Sequence, residues 1–119
     1  MTRLGLEDHL AQMTTAAQDA LTFVDGLELE DFLADKKTQQ AVTMSLVIIG
    51  EAATKVLAMH SEFAATHPQV PWRSMRGMRN KIAHGYYEVA FDVVWDTIHE
   101  SLPALLSALK ALPHRDCPF

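Results

Sequence analysis

Cysteine is nearly absent, Cys117 being the single one, so no disulfide can close within the chain and the small secreted folds that depend on such staples are excluded. Met1–Leu10 lacks a charged-then-apolar leader, and no uninterrupted apolar run approaches the roughly 18 residues of a bilayer span. These absences favour a reducing cytoplasm and no membrane partner. The chain has no glycine-rich phosphate loop and no GxSxG elbow, which removes P-loop nucleotide chemistry and the α/β-hydrolase mechanism. His60, His67 and His84 lack the short spacing of a structural zinc site, and His114 with Cys117 supplies only two ligands, so neither metal nor cofactor is implied.

What is present fits one domain spanning residues 1–119. The chain has 119 residues, 49% of them hydrophobic, enough for a real but modest core, and at this size an exposed apolar face and oligomerisation are natural. The net charge of −5 argues at first against a nucleic-acid partner. Its distribution argues otherwise, because no acidic residue occurs between Glu62 and Glu88, where Arg73, Arg76, Arg79, Lys81, His67 and His84 are found. Such a stretch is either a solvated basic helix face or a place where Arg73, Arg76 and Lys81 hold phosphates.

Hydrophobic periodicity predicts an all-α bundle of four long helices with a short extra helix. Leu6, Leu10, Met13, Ala17, Leu21 and Val24 recur at spacings of three and four and stop at Gly26, a C-terminal cap. Glu28–Leu33 reads as a short turn of helix before Asp35, whose carboxylate suits an N-cap. From Ala41 to Met59 apolar residues cover nearly the whole circumference, which predicts the central, most buried helix. Glu51 in its middle then either accepts hydrogen bonds from a neighbouring helix or orients a basic site residue. Pro71 opens a helix whose apolar stripe is Trp72, Met75, Met78 and Ile82. Gly77 within it suggests close approach to another helix or a ligand. The last helix, about Phe91 to Leu112, should kink at Pro103, whose ring clashes with the carbonyl of His99.

Arg79, Asn80, His84 and Tyr86 form the constellation of chemical interest. Histidine takes and returns a proton at neutral pH. Arginine presents a planar set of donors that matches phosphate oxygens. Together they suffice to cleave RNA without a metal, a base activating the ribose 2′-hydroxyl and a cation stabilising the charged phosphoryl oxygens. On an ideal helix, however, Arg79 and His84 sit about 140° apart, whereas Asn80 and Arg76 share a face with His84. A distorted last turn, or two copies facing one another, would be needed to bring Arg79 to the same phosphate.

Arg79-(four residues)-His84-Gly85-Tyr86 resembles the Arg-x4-His-x-Tyr motif of the HepT-like branch of HEPN proteins. "FLADKKTQQAV", "IIGEAATKV", "VPWRSMRGMRNKIAHGYYEV" and "VWDTIHESLPAL" are similar to the successive blocks of that family, from about Phe32 to Leu106. The resemblance implies a HEPN-type helical homodimer and a metal-independent, RNA-cleaving toxin. It implies catalytic roles for Arg79 and His84, assistance from Asn80, and a tRNA or mRNA substrate. It further implies an MntA-like nucleotidyltransferase antitoxin that transfers AMP to Tyr86, rather than to the adjacent Tyr87. AMP two residues from His84 would place negative charge and bulk where the RNA phosphate binds. Two alternatives stay open: a noncatalytic helical partner of a nucleotidyltransferase, and a purely structural dimer whose His84 caps its helix.

Overall fold

The computed structural model describes residues 5–113, and among them every regular element is helical. The stripe from Leu6 to Val24 forms α1 (Leu6–Val24), begun where Asp8 Oδ2 accepts the Gly5 backbone N–H at 2.8 Å. It ends at Gly26, whose φ of +81° is the left-handed conformation that glycine adopts without a Cβ penalty. The short α2 (Leu29–Leu33) buries Phe32 completely, against Trp95 at 5.4 Å and Phe91 at 6.2 Å between ring centroids.

Asp35 caps α3 (Lys36–Met59), accepting from the Thr38 hydroxyl at 2.6 Å and its backbone N–H at 3.2 Å. Those bonds, the hydroxyl first, hold the Asp35 carboxyl below its ordinary value. Helix α3 lies in the middle, with α1 on one side and α5 on the other. Val42, Leu46, Ile49, Ala53 and Val56 are buried as expected. Burial all round is corrected, because α3 has neighbours on two sides only and an outer stripe of Met44, Ile48, Glu51, Lys55 and Met59 stays exposed. Helix α3 is long and apolar enough to cross a membrane, yet half of its most apolar stretch is buried inside the bundle.

A short helix not expected from periodicity, α4 (Ser61–Thr66), precedes the proline-rich break. The break is tied down where the Trp72 indole donates to the His67 carbonyl at 3.0 Å. Helix α5 (Trp72–His84) starts directly after Pro71 and ends in a 3-10 turn at Tyr86–Glu88. The final stretch comprises α6 (Phe91–Asp96), a π-helical segment at Thr97–Ser101, and α7 (Leu102–Lys110). Where a kink is expected at Pro103, regular α-helix gives way just before it to a widened turn. The wider repeat moves the His99 carbonyl away from the proline ring, and Pro103 falls in the first turn of α7, where its missing N–H costs nothing.

The single short extra helix expected is therefore two, α2 and α4, with a 3-10 turn besides. Helix α7 packs on α1, and α5 packs chiefly on α3, so α5 and the α6–α7 arm do not close on one another. His114 and Cys117 lie outside the described residues.

Candidate active site

Helix α5 carries two faces with different surroundings. Trp72, Met75 and Ile82 are buried against the bundle, and Arg79 falls on the same stripe. Its stem lies on α3 at the one point where α3 has no side chain. A Cβ built on Gly50 would come within 2.3 Å of Arg79 Cβ and 2.6 Å of the Met75 carbonyl oxygen. From there the guanidinium reaches along α3. Nε sits 3.4 Å from Glu51 Oε1, and Nη2 donates to Thr54 Oγ1 at 3.3 Å. Glu51 is half exposed rather than buried, and its carboxylate pairs with Arg79 of the neighbouring helix.

Of the two close approaches open to Gly77, the one to another helix of the same chain is corrected in the same comparison. A Cβ there would meet nothing within 4 Å, and the tight helix crossing is at Gly50 instead. Gly77 faces an open trough of about 1010 Å³ between α5, α3, the 3-10 turn and the α6–α7 arm. Its floor is apolar, with Leu46, Ile49, Met75, Met78, Val94, Leu102 and Leu105, while Ser74, Lys81, His84 and Glu88 line it with polar groups.

His84 is the last residue of α5 and is exposed, as its position before Gly85 predicts. Among the described residues no hydrogen bond or ion pair joins it to Arg79, so the divergence read from helix geometry holds in the folded chain. Arg73 is exposed, whereas Arg76 and Asn80 are partly buried. Lys81 lies on the trough with His84. In the turn that follows, Tyr86 is half-buried and meets Phe91 edge-on at 6.5 Å, while Tyr87 is 97% exposed.

A family model described as "Ribonuclease HepT-like" matches residues 13–112. The chain belongs to the HepT-like family. It is 39% identical over 106 residues to the "Probable ribonuclease HepT" of Thermococcus cleftensis, covering 89% of this chain and 94% of that one. A protein of Methanocaldococcus jannaschii named as an RNase is 37% identical over 101 residues, covering 85% of this chain and 78% of its own. Another RNase by name, from Caldanaerobacter subterraneus, is 37% identical over 93 residues, 78% of this chain and 80% of the relative. No solved structure gives a significant match.

Within this HepT-like chain the geometry supplies a fixed cation on one side of α5 and an exposed imidazole at the helix end on the other. Thr54 is the residue that sequence reasoning missed. Its only signal is its place one helical turn beyond Gly50 and three residues beyond Glu51, which puts all three on adjoining faces of α3.

Proposed function

We propose that this chain is a metal-independent endoribonuclease that cleaves RNA by 2′-hydroxyl attack at a site shared by two protomers. One observation carries the reading. Arg79 is anchored against α3, while His84 stands on the far face of α5 beside an unfilled apolar trough. A single chain therefore presents the two parts of the site separately, and a second copy packed along the trough would both cover the exposed Val93 on its wall and supply the missing partner. The relatives named as ribonucleases support the reaction class.

In this mechanism neutral His84 takes the proton from the ribose 2′-hydroxyl. The oxygen attacks the adjacent phosphorus, the phosphorus–5′-oxygen bond breaks, the proton taken up by the imidazole is passed on to the leaving 5′-oxygen, and a 2′,3′-cyclic phosphate remains. Arg79 stabilises charge on the non-bridging oxygens, with the Asn80 amide assisting. Arg73, Arg76 and Lys81 hold flanking phosphates of a tRNA or mRNA. As a cytoplasmic toxin in a single-domain homodimer, it would be neutralised by an MntA-like nucleotidyltransferase antitoxin that transfers AMP to Tyr86. Tyr86 follows His84 by two residues, so the adduct would stand beside the base. The greater exposure of Tyr87 makes a Tyr86→Phe and Tyr87→Phe pair, analysed by peptide mass after incubation with the transferase and ATP, the direct test of that choice.

The purified protein should shorten RNA in EDTA and leave cyclic-phosphate ends, and His84→Ala should stop it. Undiminished cleavage by His84→Ala would overturn the reading. The Glu51–Arg79 pair favours one second reading, a noncatalytic helical partner of a nucleotidyltransferase, because within one chain the arginine already has an anionic neighbour. That version predicts harmless overexpression without the transferase.

A further inference from the structure

Arg79 is held from behind by two α3 groups to which the proposed reaction assigns no step. Because Gly50 has no side chain, the Arg79 stem lies against the α3 backbone, and its head group meets Glu51 and Thr54. The Thr54 hydroxyl has one proton, and it goes to the Gly50 carbonyl at 2.8 Å. The oxygen therefore faces Arg79 Nη2 as an acceptor, so the contact has a fixed polarity. Nε is buried and has no hydrogen-bond partner, which leaves the Glu51 carboxylate at 3.4 Å as the charge that compensates it among the described residues. No protein group among the described residues takes the remaining Nη hydrogens. The guanidinium is thus gripped along its Nε side and open at its tip, the edge a phosphate can meet with paired donors.

We propose that Glu51 and Thr54 are positioning residues that fix the Arg79 guanidinium toward the scissile phosphate, an inference that rests on the ribonuclease reading above. An arginine free on a helix surface spreads over many rotamers. One already set in the reactive geometry spends less of the binding interaction on ordering itself in the transition state. Glu51 lies on the Nε side and is 52% exposed, so solvent screens its repulsion of an incoming phosphate. The competing idea, that Glu51 merely occupies the anion site and blocks RNA, predicts the opposite kinetic result.

The test uses full-length protein with a short RNA. Glu51→Gln removes the charge and keeps the shape, Thr54→Val removes the acceptor at similar volume, and Thr54→Ser keeps the hydroxyl. Positioning predicts kcat down about 10- to 100-fold in the first two, with KM within about twofold, unchanged helicity by circular dichroism and recovery in Thr54→Ser. Undiminished kcat with a lower KM in Glu51→Gln would overturn it in favour of competition. A parallel readout follows the Arg79 Nε–Hε NMR signal, identified by its loss in Arg79→Lys. That signal should report an ordered side chain in the wild type and a mobile one in Glu51→Gln and Thr54→Val. A wild-type protein that leaves RNA intact would sink the ribonuclease reading. The NMR arm would then decide alone, equal mobility in wild type and variants overturning the grip of Glu51 and Thr54 on Arg79.

Discussion

The two faces of α5 differ in how much of their environment a single chain supplies. On the α3 side the chain supplies the contacts itself: Gly50 admits the α5 backbone at Met75, Trp72 is buried, and Arg79 is tied at two points. On the trough side a Cβ added to Gly77 would meet nothing within 4 Å, Val93 across the trough is 58% exposed, and His84 has no hydrogen-bond or ion-pair partner among the described residues. The same thirteen-residue helix is therefore finished on one side and unfinished on the other. The difference teaches why an Arg-x4-His spacing, awkward on one helix, is compatible with the divided site proposed above. The spacing aims one residue inward at its own bundle and the other outward.

The largest effect should come from separating the two residues onto different chains. The Arg79→Ala and His84→Ala variants should each lose about 10²- to 10⁴-fold in RNA cleavage. The proposed shared site predicts that mixing the two under conditions that exchange protomers restores a substantial fraction, because a mixed dimer would retain one intact Arg79–His84 pair between its chains. Mixtures as inactive as their parents would break the comparison, since both residues would then be required from the same chain.

The next test probes the finished face through stability. Gly50→Ala places a methyl group against the Met75 carbonyl and the Arg79 stem, and neither the backbone nor the attached stem can step aside cheaply. The change should destabilise the fold by about 1–3 kcal/mol, the range for overpacking a close-packed contact, read as a lower urea midpoint. Cleavage per folded molecule should fall as well, because α5 can relieve the clash only by moving Arg79.

Much of this was legible in the residues. Period-three-and-four patterning located α1, α3 and α5, Asp35 was recognisable as a cap, and Pro103 marked the place where the last helix is interrupted. The motif marked His84 as a helix terminus and showed that Arg79 points elsewhere. What escaped has a common cause. A glycine's cost is local, but which glycine faces a neighbouring backbone depends on the helix crossing, so the pattern alone does not show that the tight crossing within the chain falls at Gly50. The burial of Glu51 was overestimated because periodicity counts apolar positions, not the number of helices that arrive to cover them. Helix α4 is six residues long, too short to show a repeat. The trough exists only where α5 and the α6–α7 arm fail to meet.

A smaller effect, of opposite sign to the Gly50 change, is expected on the unfinished face. Gly77→Ala relieves the helix-interior penalty of glycine in open space and should stabilise the fold by about 0.5–1 kcal/mol. If a second copy packs along the trough, the added methyl should nonetheless weaken self-association in analytical ultracentrifugation. A gain in stability with unchanged association would place the partner elsewhere.

The smallest effect should appear at the start of α3, far along the helix from the groups that grip Arg79. Asp35 is held below its ordinary pKa of 3.8 chiefly by the Thr38 hydroxyl, so folding favours its ionised form. The sign follows directly. The stabilisation is fully present above about pH 4 and fades as the pH falls through the lowered folded value, where the carboxylate is protonated in folded and unfolded chains alike. Asp35→Asn keeps an oxygen for the cap but has no charge to lose. The urea midpoint of the wild type should exceed that of the variant at neutral pH, and the gap should close in acid. Cleavage kinetics per folded molecule should be the same for both, because the cap secures the helix without touching the Arg79 anchor. A gap that persists in acid would assign the contribution to cap geometry instead of to the ionised carboxylate.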